Sequence, residues 1–124
     1  MVKLLLVGLG GFIGAVGRYA VSGWVHALFR KSEFPIGTLT VNIVGCLLIG
    51  LLGGLVVHKN LFGQDFRLCV MIGLLGSFTT YSTFSYETLA LLQEARLVAA
   101  LLNIFLHLSV GLLAVYAGYT LSNV

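Results

Sequence analysis

Four long apolar stretches alternate with short polar breaks along the 124-residue chain. The stretches cover residues 4–26, 36–57, 68–92 and 97–121. Each is long enough for a helix that crosses a bilayer, which needs about 20 predominantly apolar residues. The breaks are too short to form domains. The pattern predicts an all-α membrane protein whose residues 1–124 form a single domain of four transmembrane helices.

Composition leads to the same conclusion. Hydrophobic residues make up 59% of the chain and charged residues 9%, whereas soluble domains carry about 25% charged residues. Seven Lys and Arg give a net charge of +3, but they are scattered singly or in pairs. This distribution does not form the basic stripe of a nucleic-acid-binding protein. Cys46 and Cys69 lack metal-ligand spacing and are predicted to be free, small core residues.

Positive charge is balanced between the two predicted sides of the membrane. Lys3, Lys59 and Arg67 flank the spans on the side of the termini, and Arg30, Lys31 and Arg96 flank them on the other. Orientation normally follows a Lys and Arg bias in short loops, and three against three gives none. The balance predicts dual topology and an antiparallel homodimer, in which any pore at the interface occurs twice. The alternative is a biased orientation set by a detail such as Arg18.

Small residues recur at steps of four in the first two stretches. The positions are Gly10 and Gly14 in the first, and Asn42, Cys46, Gly50 and Gly54 in the second. Lipid provides no hydrophobic drive for helix association, so membrane helices use small residues to approach closely. The spacing predicts tight helix packing, either within a subunit or between subunits.

The third stretch contains a run of hydroxyl side chains. Seven of the ten residues 76–85 carry one, namely Ser77, Thr79, Thr80, Tyr81, Ser82, Thr83 and Ser85. Such a run is poor helix material and predicts a broken helix, although hydroxyls can also bond back to an intact one. Non-helical backbone within a membrane persists only when it is buried in protein or lines water. Carbonyls freed at a break can bind a small cation such as sodium.

Aromatic rings lie three residues apart at Phe78, Tyr81 and Phe84. Helix packing is one explanation. The other uses the positive edge of an aromatic ring, which can contact an anion without a full positive charge. The residues alone favour helix packing.

Few other polar residues lie within the stretches. Asn42 is the only amide of the second, and Asn103 and His107 share one face of the fourth. Such groups usually face a cavity or a partner helix. Arg18 and Glu87 lie near span ends and are predicted to line vestibules or to snorkel. No Ser/His/Asp set, carboxylate pair or nucleotide-binding loop is present, so no enzyme is predicted.

Three segments resemble the Fluc-type fluoride channels of the CrcB family. They are residues 17–19, residues 37–42, and residues 76–85 followed by Glu87. The resemblance extends over nearly the whole chain. It implies passive export of cytoplasmic fluoride across a prokaryotic plasma (inner) membrane. It also implies an antiparallel dual-topology homodimer with two pores and a structural sodium ion at its centre.

The resemblance also implies site residues. Main-chain carbonyls of Gly76 and Thr79 correspond to the sodium ligands, and Arg18 and Glu87 to the family's arginine and glutamate. The expected pore and fluoride residues are Asn42, Thr80, Tyr81, Ser82, Thr83, Phe84, Asn103 and His107. Tyr81 stands where phenylalanine is usual, and its hydroxyl either competes with ring-edge contacts or supplements them. The correspondence at Asn103 and His107 is looser, because no sharp motif anchors the fourth helix.

Two other functions compete with this one. A small dimeric proton-coupled exporter would need a carboxylate early in the chain, and the first two stretches contain none. A non-transporting accessory subunit would not need the hydroxyl-rich segment.

Overall fold

The structure, a computed structural model, is all-helical and describes residues 1–30 and 32–123. Lys31, which was predicted to flank a span, lies outside these residues. The elements are α1 (Val2–Leu28), α2 (Ile36–Lys59), α3 (Gln64–Phe66), a π-helix (Arg67–Leu75), α4 (Gly76–Phe78), α5 (Tyr81–Gln93) and α6 (Leu97–Leu121). Within the described residues, four helical spans are long and apolar enough to cross a membrane, as predicted. The third of them extends from Gln64 to Gln93 and so begins a turn earlier than expected.

The backbone of the third span changes its winding twice. From Arg67 to Leu75 it forms a π-helix, whose turns are wider than those of an α-helix. The three residues of α4 then return to α-helical winding. Thr79 and Thr80 then have extended dihedrals, with φ and ψ of −85° and 159° and of −150° and 116°. The Thr80 hydroxyl accepts a bond from the Thr83 N–H at 3.2 Å and so caps α5, which begins at Tyr81. A side-chain oxygen at this position pairs a donor that the first turn of a helix leaves free.

Close packing between helices depends on glycines. A Cβ at Gly10 or Gly14 of α1 would overlap the main chain of the π-helix at Cys69 and Leu74. A Cβ at Gly50 of α2 would likewise overlap the main chain of α6. The prediction of tight helix packing is confirmed, and these contacts lie within one chain.

Most large apolar side chains point outward. Leu4, Phe12, Trp24 and Leu113 are all exposed, whereas Val41 and Ala100 are among the few fully buried residues. This arrangement fits a chain whose solvent is lipid.

One end of the bundle is joined by ion pairs between loops. Arg96 lies 3.3 Å from the Glu33 carboxylate and 3.7 Å from that of Glu94, and its guanidinium also donates to the Glu33 carbonyl. The α1–α2 and α5–α6 connections are therefore linked at this end.

Candidate functional site

A side chain of α2 holds the two extended residues of the third span. The amide nitrogen of Asn42 donates to the Thr80 carbonyl at 3.0 Å, and its oxygen accepts from the Thr80 N–H at 2.7 Å. This is the paired exchange that two opposed residues make in an antiparallel sheet. Asn42 therefore satisfies both main-chain groups of a residue that lies outside any helix, which a buried backbone requires.

The same hydrogen bonds change the surroundings of two carbonyls. In a continuous helix the Thr80 N–H would donate to the Gly76 carbonyl, and the Thr83 N–H to that of Thr79. Here the Thr80 N–H bonds to Asn42 and the Thr83 N–H to the Thr80 hydroxyl. The Gly76 and Thr79 carbonyls thus both lose their ordinary helical donors.

The carbonyl of Ser77 is bound by a side chain of a different helix. Arg18 of α1 donates through Nε to the Ser77 carbonyl at 3.1 Å. Asn42 therefore contacts the extended residue Thr80, and Arg18, from a different helix, contacts α4 just before the extended residues.

Thr79 and Thr80, the two extended residues, are called the interruption below. A partly open cavity of about 430 Å³ borders them. Its lining includes Asn42, Thr80, Tyr81, Phe84 and His107, together with Gly76 and Thr79. None of the described lining residues is Asp, Glu, Lys or Arg. The cavity therefore presents amide, hydroxyl and aromatic groups, and none of its described side chains is acidic, lysine or arginine.

The two aromatic rings of this cavity differ in exposure. Tyr81 is 78% exposed, whereas Phe84 is 9% exposed and has its ring centroid 4.3 Å from that of His107. The Tyr81 and Phe84 centroids lie 5.6 Å apart, within the range for interacting rings. The Phe84 ring is packed among its neighbours, and the Tyr81 ring is exposed on the surface of the chain.

Arg18 and Glu87 share a second cavity, of about 510 Å³. The Thr38 hydroxyl donates to one oxygen of the Glu87 carboxylate at 2.7 Å, and the other oxygen is buried without a partner among the described residues. Arg18 and Glu87 therefore lie at the same cavity, which Thr83 also lines.

Asn103 lies behind the first cavity. Its side chain is fully buried and donates to the Thr88 hydroxyl of α5 at 2.9 Å. The next polar residue of α6, His107, makes a 2.9 Å bond from Nδ1 to the Asn103 carbonyl. A carbonyl only accepts, so Nδ1 carries the proton.

The predicted site residues therefore divide into groups. Asn42, Tyr81, Phe84 and His107 meet at one cavity, as do Gly76 and Thr79, whereas Thr83, Arg18 and Glu87 line the other. Thr80 lines both cavities. Ser82 is exposed and lines neither of these two cavities.

Two hydroxyl residues of the site, Thr38 and Thr88, were not among the predicted site residues. Thr38 contacts Glu87, and Thr88 contacts Asn103 and donates to the Phe84 carbonyl. Both contacts join residues far apart in sequence. The only signals were the place of Thr38 within segment 37–42 and the spacing of Thr88 one helical turn after Phe84.

The sequence model of the family described as "CrcB-like protein, Camphor Resistance (CrcB)" matches residues 5–119. The chain belongs to the CrcB family. Among its relatives is "Fluoride-specific ion channel FluC 1" of Methanosarcina acetivorans, 48% identical over 95% of this chain and 88% of that protein. The FluC of Shewanella baltica is 48% identical over 98% of this chain and 96% of that protein. The FluC of Geobacter sulfurreducens is 42% identical, with coverages of 95% and 94%.

These CrcB relatives bear the names of channels and not of enzymes. They come from bacteria and archaea, and the described residues contain four membrane-spanning helices. The chain is a multi-pass prokaryotic membrane protein.

Proposed function

We propose that this chain is a subunit of a fluoride-selective channel that lets fluoride leave the cytoplasm passively. The observation that carries the proposal is the cavity beside the interruption, where Asn42, Thr80 and Phe84 meet. Fluoride is small and strongly hydrated, so a conducting site must replace its water contacts. Neutral hydroxyl and amide donors and positive ring edges can do this without the tight binding that would prevent exit.

The membrane potential, and not a reaction of the protein, drives fluoride out in this proposal. Fluoride enters acidified cells as the neutral acid, dissociates inside and is trapped as the anion. A channel then allows the membrane potential to drive the anion out. This mechanism needs no coupled proton carrier and no enzymatic step.

The functional unit we propose is an antiparallel homodimer with two pores. The balanced Lys and Arg count supports dual topology. The 78% exposure of Tyr81 supports an interface, because this ring borders the proposed pore but is uncovered in one subunit. Labelling of single engineered cysteines at Ser32 and at Asn60 tests the topology. We expect each to be labelled from both sides of the membrane, and labelling from one side only would contradict dual topology.

A structural sodium ion completes the proposed assembly. The Gly76 and Thr79 carbonyls fit this role because their helical donors are bonded elsewhere and both border the cavity. Main-chain carbonyls of unwound transmembrane segments are known ligands for sodium. Sodium would neutralise these dipoles and join two copies of the interruption.

Replacing sodium by N-methylglucamine tests the ion independently of conduction. We expect the dimer to dissociate more readily in detergent, as measured by size-exclusion chromatography, and fluoride efflux to fall. An unchanged dimer that conducts at the same rate would remove the sodium proposal and leave the channel proposal in place.

Fluoride efflux from liposomes that contain the purified protein tests the function itself. We expect efflux that follows the membrane potential and does not require a proton gradient. Efflux that required such a gradient would favour the exporter. No efflux in the presence of sodium would favour an accessory subunit.

The aromatic contact has its own test. Phe84→Ile removes the ring edge and is expected to reduce efflux strongly while the dimer persists. Phe105→Ile is the matched control, because Phe105 is 61% exposed on α6 and lines neither of the two cavities. Equal efflux from the two variants would exclude a role for the Phe84 ring.

A further inference from the structure

Phe84 is linked to α6 directly through its ring and indirectly, through Thr88, at its main chain. The ring lies against His107, with centroids 4.3 Å apart. The Phe84 carbonyl accepts a 2.7 Å bond from the Thr88 hydroxyl, which in turn accepts a 2.9 Å bond from the Asn103 amide. This second contact connects the main chain at Phe84 to the interior of the neighbouring helix.

The direction of these bonds fixes the Asn103 amide. A hydroxyl has one proton, and the Thr88 proton is used on a carbonyl that can only accept. Thr88 must therefore accept from Asn103, so the amide nitrogen faces Thr88. The Asn103 oxygen is then left buried without a partner among the described residues.

An unpaired buried oxygen costs free energy, which an apolar side chain at the same place would avoid. Asn103 is fully buried, so its oxygen is out of contact with the surrounding lipid and bulk water. The amide is therefore a poor choice for stability alone. Its donated bond is what a leucine at this position could not supply.

We propose that Thr88 and Asn103 are positioning residues that fix the Phe84 ring at the wall of the cavity. The inference rests on the proposed function, in which this ring contacts fluoride. Ring-edge contacts depend on orientation, and they weaken when the ring turns its face to the anion. The bond from Asn103 to Thr88 ties the helical turn between Phe84 and Thr88 to α6, and so fixes the backbone from which the ring extends. His107 packs against the ring and limits its rotation.

Three substitutions separate positioning from packing. Thr88→Val keeps the shape and removes the hydroxyl, Thr88→Ser keeps the hydroxyl, and Asn103→Leu removes the amide. We expect the valine and leucine variants to lower fluoride efflux about fivefold, the ratio that one ordinary hydrogen bond contributes to an equilibrium. They should also raise the fluoride concentration at half-maximal rate, while Thr88→Ser stays close to the unaltered protein.

Two measurements besides conduction complete the test. The thermal stability of Asn103→Leu should equal or exceed that of the unaltered protein, because the unpaired oxygen is gone. The flipping rate of the labelled Phe84 ring, measured by NMR in detergent, should rise in Thr88→Val and Asn103→Leu but not in Thr88→Ser.

The possible failures are distinguishable. If Phe84→Ile loses conduction while Thr88→Val and Asn103→Leu conduct normally, the positioning proposal is wrong and the channel proposal stands. If efflux falls together with thermal stability and the ring flips at its original rate, the two residues are structural and the proposal is again overturned. If the unaltered protein does not conduct, both proposals fail.

Discussion

The paired hydrogen bonds between Asn42 and Thr80 allow the contribution of one side chain to be worked out. Asn42→Ala removes both bonds and leaves the N–H and carbonyl of Thr80 without their partner. A typical intramolecular hydrogen bond contributes about 1 kcal/mol net, and leaving a buried polar group unpaired costs about 1–3 kcal/mol. We expect the variant to lose about 3 kcal/mol or more of stability, because two main-chain groups are affected at once.

Conduction should respond in the same direction. Without Asn42 the extended backbone at Thr80 loses the side chain that holds it, so the wall of the cavity that Thr80 lines is no longer fixed. Unfolding in detergent measures the first effect and liposome efflux the second. Thr40→Ala is the control, since Thr40 lies on the same helix but bonds only to Ile36 within it. If Asn42→Ala matched Thr40→Ala in both stability and efflux, the assignment of Asn42 as the support of the interruption would be refuted.

Three further substitutions follow from the contacts. Gly118→Ala should destabilise the α2–α6 contact, since the added methyl would overlap the α2 main chain, whereas Gly53→Ala, with open space around it, should leave thermal stability unchanged. Tyr81→Phe should conduct within about twofold of the original, because the ring is retained and ring-edge contacts survive the loss of the hydroxyl. A large loss of efflux would instead show that the hydroxyl binds fluoride. Arg18→Gln should reduce efflux and lower the melting temperature, because the bond to the Ser77 carbonyl is lost; an unchanged melting temperature would show that this bond does not support the interruption.

Hydropathy was sufficient to place the four spans. The stretch predicted at 97–121 has the same bounds as α6, and the one predicted at 36–57 ends two residues before α2 does. The reason is physical, since the length of an apolar run and the thickness of the bilayer determine a span together. The glycine spacing was informative for the same kind of reason, because only a missing side chain permits backbones to approach so closely.

The partners of individual polar side chains could not be predicted in this way. Asn42 was expected to line a pore, and it borders the cavity, but its bonds to Thr80 depend on how two helices are rotated against each other. Asn103 was also expected at the pore, and its bond to Thr88 could not be predicted from the sequence either. The sequence shows that a polar residue lies in a span, but not which neighbour its side chain reaches.

The order in which the ribosome delivers the helices matters for the Asn42–Thr80 pair. Asn42 precedes Thr80 by 38 residues, so α2 is synthesised before the extended part of the third span. An unpaired backbone group in hydrocarbon costs several kcal/mol of free energy. An Asn42 amide that is already in the membrane can pair the Thr80 main chain and so lower the cost of inserting it. We expect a chain that lacks Asn42 to insert its third span less efficiently, which glycosylation mapping during translation would measure.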